Sequence, residues 1–157
     1  MKRQMKTTIG VLIFARARAS LLAMAIAFGI SGTALADGDS VVCGLQTLHG
    51  PYVFNPHGFD IADGAAQPIA VFEGIDFNGD GTLTVPFATV SINGLILQFP
   101  PGGTGTYTLD SNCEGTLTFD LGPVHYNISV RPSGREIWMI ETDANTVLNG
   151  MAEKVSR

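Results

Sequence analysis

One carboxylate stands where the pattern asks for an aliphatic side chain. From Ile69 to Phe77 the chain alternates, so that Ile69, Val71, Glu73, Ile75 and Phe77 share one face of an extended segment. A carboxyl on such a face must be paired, hydrogen-bonded, or protonated with a raised pKa. The three tyrosines, Tyr52, Tyr107 and Tyr126, alternate onto apolar faces as well. One acid and several hydroxyls on inward faces suit either orientation of an apolar ligand or proton transfer. Glu73 is therefore the candidate catalytic residue, and Tyr52, Glu73, Tyr107 and Tyr126 are the candidate ligand-binding residues. The plainer alternative puts Glu73 on the outside of a bent strand, or has it anchoring a tyrosine hydroxyl at a rim. Trp138 fits either a core or a mouth position.

Other chemistries find little support. Asp76-Phe77-Asn78-Gly79-Asp80-Gly81 has the oxygens and glycine that open a calcium loop, but Phe87 occupies the place of its bidentate glutamate. A glycine-rich hairpin turn accounts for it better. His49, His57 and His125 show no metal-ligand spacing, and His125 falls on a polar face with Asn127 and Ser129. No GxSxG is present, and Gly102-Gly103-Thr104-Gly105 lacks the lysine and following helix of a phosphate loop. No metal and no cofactor is expected.

The elements that must position these residues read as strands. Gly105 to Phe119 is central: Tyr107 and Leu109, then Leu117 and Phe119, alternate on either side of the turn-forming Asp110-Ser111-Asn112. Before it come a strand within Leu45 to Asn55, a mobile loop from His57 to Gln67, and a strand from Ile69 to Phe77. A further strand, Leu83 to Ile92, is interrupted by Pro86, which implies an edge or a bend. Asn93-Gly94 is the strongest hairpin signal and leads into Leu95 to Phe99. After it come Val124 to Val130, Glu136 to Thr142 and Thr146 to Ala152. No sustained helical period follows residue 36. The expected fold is all-β, a single up-and-down antiparallel barrel of about eight strands, because successive hairpins favour that order and closure removes exposed edges.

Residues 1–36 read as a cleaved signal peptide. A basic leader (Lys2, Arg3, Lys6, Arg16, Arg18) precedes the apolar run Leu21 to Ile30, and Ala34-Leu35-Ala36 supplies the cleavage pattern. The apolar run is short for a membrane anchor, and Ala17 separates the arginines that a twin-arginine signal needs. Cleavage leaves 37–44 as an arm and 45–157 as one barrel domain. It also leaves four basic residues against all fourteen acidic ones, a formal charge near −10 that disfavours nucleic acid and anionic membranes. The expected location is the periplasm or the extracellular space. There the two cysteines, Cys43 and Cys113, form one disulfide or remain two buried thiols, the bridge being the usual outcome for an isolated pair.

Three stretches carry a family resemblance: FNGDGTL at Phe77 to Leu83, GTYTLDSNCEGTLTF at Gly105 to Phe119, and REIWMIETDANTVLNGMA at Arg135 to Ala152. Together they resemble a group of small secreted bacterial proteins similar in fold to allene oxide cyclase, an eight-stranded calycin-like barrel. The resemblance spans roughly Leu45 to Ala152 and rests on turn and strand chemistry. It implies the barrel, and an activity among cyclases and binders of apolar small molecules; no catalytic residue of the plant cyclase transfers onto this chain. Three readings follow. The first is a barrel binding a small apolar molecule inside. The second is a cofactor-independent cyclase or isomerase with Glu73 as acid/base and tyrosines orienting the substrate. The third is a structural protein with a filled core, using His57 to Gln67 for contacts.

Overall fold

The computed structural model describes residues 42–155; the expected signal peptide and most of the arm lie outside them. The described chain is a 3-10 turn (Leu45–Thr47) and ten strands: β1 (His49–Phe54), β2 (His57–Ala62), β3 (Ala65–Asn78), β4 (Thr82–Ile92), β5 (Leu95–Phe99), β6 (Gly103–Tyr107), β7 (Glu114–Phe119), β8 (Val124–Val130), β9 (Glu136–Glu141) and β10 (Thr146–Lys154). Every pairing is antiparallel. The circuit β1-β3-β4-β6-β7-β8-β9-β10 closes back on β1, giving an eight-stranded up-and-down barrel with two added strands.

The two additions are continuations of barrel strands. Phe54 pairs with Ala152 and Glu73, and His57 pairs with Asn149 and Ala70, so β1 and β2 keep one register on both neighbours. Asn55-Pro56 interrupts them, and Pro56 turns inward across Gly150, where any Cβ would overlap its ring. Likewise β5 and β6 occupy successive stretches of one side of β4, separated by Pro100-Pro101-Gly102. The segment expected to be a mobile loop, His57 to Gln67, is thus the β2–β3 hairpin. Its turn, Asp63-Gly64, has both residues at positive φ (52° and 76°), which matches the right-handed twist of the flanking strands.

Pro86 marks a bend in a strand paired on both sides. Opposite it the β3–β4 register steps from Gly74↔Phe87 to Asp76↔Thr84, so β4 carries one extra residue. There β4 also changes partner from β6, which ends against Val85, to β5, which begins against Ala88. A residue without an N–H fits where no ladder bond is asked of it. The bulge re-aims the strand: Leu83 and Val85 face inward below it, Ala88, Val90 and Ile92 above it.

Inward positions hold the core, including Phe54, Ile75, Phe77, Leu83, Leu117, Ile128, Ile137 and Leu148. Each such large side chain contributes about 1.5–3 kcal/mol on full burial. Outward positions on β7 and β8 are polar, as with Thr116, Thr118, His125, Asn127 and Ser129. On these two strands, apolar-in and polar-out is the inverse of the pattern that a lipid-facing barrel wall requires, whereas Phe72, Phe87, Trp138 and Ile140 are exposed on β3, β4 and β9.

One end of the barrel is shut. The 3-10 turn lies across it, with Leu48 fully buried, and Cys43 is bonded to Cys113 in the β6–β7 turn at a Cα–Cα distance of 5.1 Å. The expected arm is therefore pinned at Cys43, while Val42 before it is exposed. Asp110 shapes the β6–β7 turn by accepting from the backbone N–H groups of Asn112 (2.8 Å) and Glu114 (3.1 Å). The calcium-like segment is the β3–β4 turn, where Asp80 accepts from the Thr82 N–H (3.0 Å) and hydroxyl (2.7 Å).

Candidate functional site

The opposite end is open and lopsided. The β2–β3 and β4–β5 hairpins rise past the barrel as a tall wall, while β7, β8 and β9 stop at a low rim near Phe119, Val124 and Glu141. Between wall and rim lies a cavity of about 360 Å³. Ile69, Val71, Val85, Ala88, Val90, Ile92 and Phe99 line it on one side, with Leu121, Val124 and Leu148 across. The floor is aromatic. Tyr126 stands edge-on to Phe119 (6.0 Å between centroids) and to Phe54 beneath it (5.5 Å).

Glu73 enters this cavity from β3. It is 8% exposed and is the buried charged side chain of the described core. Its register partners are Phe54 on β1 and Ala88 on β4; the small alanine leaves open volume beside the carboxyl. Burial alone pushes the Glu73 carboxyl up to about 7, with no compensating hydrogen bond. Tyr126 and Glu141, paired across β8 and β9, face each other with the tyrosine hydroxyl donating to Glu141 Oε2 at 3.3 Å. Burial, then the neighbouring Glu141 and Glu73 charges, raise the Tyr126 hydroxyl, so it remains a donor throughout the physiological range. Burial also raises Glu141, opposed by the hydroxyls of Thr146 and Tyr126. Asp60 on β2 completes the polar lining from the tall wall, with Thr104 and Thr146.

Of the residues expected at the mouth, Glu73 and Tyr126 are there. Tyr52 and Tyr107 are not; both lie at the shut end and do structural work. The Tyr52 hydroxyl donates to the Gly134 carbonyl in the β8–β9 turn, and its burial raises it to about 12. The Tyr107 hydroxyl reaches the carbonyls of Leu45 (2.8 Å) and Leu48 (3.2 Å), holding the 3-10 turn in place. Both rings pack edge-on against Phe77. Trp138 occupies neither core nor mouth: it is 45% exposed on the outer wall, with the Arg131 guanidinium 5.9 Å from its ring centroid. His125 is exposed, as its polar face suggests, and bonds Asp143 at 2.7 Å.

Two site residues escaped the reading of the sequence. Glu141 shares the inward register of Ile137 and Met139, so alternation along β9 contained the signal. Asp60 was hidden by the loop assignment, although Asp63-Gly64 between two alternating stretches is itself a hairpin signature. No group of three or more potential metal ligands exists among the described residues. No family model matches the chain, and neither the curated proteins nor the solved structures contain a match to it.

Proposed function

We propose that the protein binds a small apolar molecule in the mouth of the barrel. The observation that carries this reading is an apolar cavity of about 360 Å³ with one polar end, where Glu73, Tyr126 and Glu141 converge. That volume falls in the range of small-molecule sites, and the combination of apolar walls with few polar groups is their usual composition. The similarity of FNGDGTL, GTYTLDSNCEGTLTF and the β9–β10 stretch to the allene oxide cyclase-like barrels supports the same class. Export through the signal peptide 1–36 to the periplasm or beyond belongs to this proposal, and the Cys43–Cys113 disulfide is compatible with such an oxidising location.

Gentle mass spectrometry of the protein taken from its native compartment tests the reading. A stoichiometric small molecule is expected on the wild type and its loss on Ala88→Leu, which fills the space beside Glu73. Equal masses for both, with nothing released by organic extraction, count against a ligand. The same spectrum reads the cleavage after Ala36.

Glu73 favours a second reading, a cofactor-independent cyclase or isomerase. A carboxyl near 7 beside an open apolar volume is suited to give and take a proton at neutral pH. Under this reading Glu73→Gln abolishes turnover and leaves substrate binding largely intact; unchanged turnover removes the assignment.

A further inference from the structure

The polar end of the cavity is one-sided in its chemistry. Asp60, Glu73 and Glu141 supply three carboxyls, and Tyr126 and the threonines supply hydroxyls, while the lining contains no lysine, arginine or histidine. A ligand with a carboxylate or phosphate head would meet like charge and no cation at any point of the wall. Glu73 is more than nine-tenths buried, and its carboxyl opens onto the cavity with no hydrogen-bonding or ionic partner among the described residues. An uncompensated carboxyl of this kind gains most from a group that both donates hydrogen bonds and carries positive charge.

We infer that the ligand is an amine with an apolar body: an ammonium head seated between Glu73 and Glu141, its hydrocarbon part against Val71, Ala88 and Val90. The inference rests on the binding reading above and narrows it. Placement follows from the register. Glu73 and Ala88 are paired across β3 and β4, so the head sits low, at the level of Tyr126. The body then extends up the tall wall, where Val90 and Ile92 succeed Ala88 on the same face. Tyr126 holds Glu141 in place through its hydroxyl. A neutral alcohol donates one hydrogen bond here without charge, and a fatty-acid carboxylate donates none and faces the carboxyls of Glu73 and Glu141 as like charges.

Three probes of equal length separate the alternatives: octylamine, octan-1-ol and octanoate, titrated calorimetrically at pH 8 into the mature protein. Octylamine should bind at least about tenfold more tightly than octanol, in keeping with a charge-assisted over a neutral hydrogen bond, and octanoate should give no heat. Glu73→Gln should weaken octylamine about tenfold or more and erase most of its lead over octanol, with a cooperative thermal unfolding transition reporting that the variant is folded. Octanol or octanoate binding as tightly as octylamine overturns the amine assignment and leaves the apolar-ligand reading standing. Absence of binding by all three overturns both.

Discussion

At the shut end of the barrel, Tyr52 and Tyr107 direct their hydroxyls to backbone carbonyls of Gly134, Leu45 and Leu48; at the mouth, Tyr126 meets a carboxylate beside open volume. The residue types are the same and the surroundings are not. Below, Phe77 fills the space between the two tyrosine rings, and a disulfide and a 3-10 turn cover the opening. Above, Ala88 stands opposite Glu73, and the tall wall has no facing strand at its own height. The polar groups of the shut end have fixed partners and therefore hold the fold together. Those of the mouth retain unsatisfied capacity, which is what a binding site requires.

The largest test of this contrast is at the shut end. Replacing Cys43 and Cys113 by serine opens a crosslink between residues 70 apart in sequence, which the chain-entropy view values at about 4 kcal/mol. Urea unfolding should report that loss, while octylamine affinity under native conditions stays as it was. An affinity that fell with the disulfide would show that the two ends are coupled.

Next comes Glu73. Its carboxyl is at about 7 in the folded chain against an ordinary 4.5, so the native state holds the proton more tightly than the unfolded one. The stabilisation is complete below about pH 4.5, declines as pH rises through 7, and is absent above; integrated, it amounts to about 3 kcal/mol. Unfolding midpoints should therefore fall between pH 4 and pH 8 in the wild type. Glu73→Gln should flatten much of that decline, with a remainder from Glu141, which burial raises in the same direction. An unchanged slope in the variant would place the titration elsewhere.

A smaller effect separates the tyrosines. Tyr52→Phe leaves the Gly134 carbonyl without its partner at a buried position and should cost about 1–3 kcal/mol. Tyr126→Phe loses a longer bond at the cavity edge and should cost less than about 1 kcal/mol while changing ligand affinity. Equal losses of stability would erase the distinction between the two ends. Smallest is the tip of the tall wall. Asn93 has φ 48°, so Asn93→Ala should cost about 1 kcal/mol in thermal unfolding, because alanine tolerates the left-handed region less well.

Much of the strand order was legible because alternation and turn chemistry are local. Asn93-Gly94, the Asp110 turn and the Val124 to Val130 alternation each predict their element from a few neighbouring residues. So did the inward facing of Glu73 and of all three tyrosines. The loop assigned to His57 to Gln67 failed because its alternation is carried largely by glycine, alanine and aspartate, residues whose strand preference is low and which are held here between the hairpin partner β3 and the distant strand β10.

By itself, then, the sequence determined which side of each strand a residue occupies, since period two is a property of the extended chain. It determined the kind of fold for the same reason. Height along the barrel was decided only by the closed structure. Whether an inward tyrosine lies beside the 3-10 turn or beside Glu141 depends on strand register and stagger, on the Pro86 bulge, and on the collinear placing of β1 and β2 between β3 and β10. These are fixed by contacts between residues far apart in the chain. The gathering of Glu73, Tyr126, Glu141 and Asp60 from four strands around one cavity is the result.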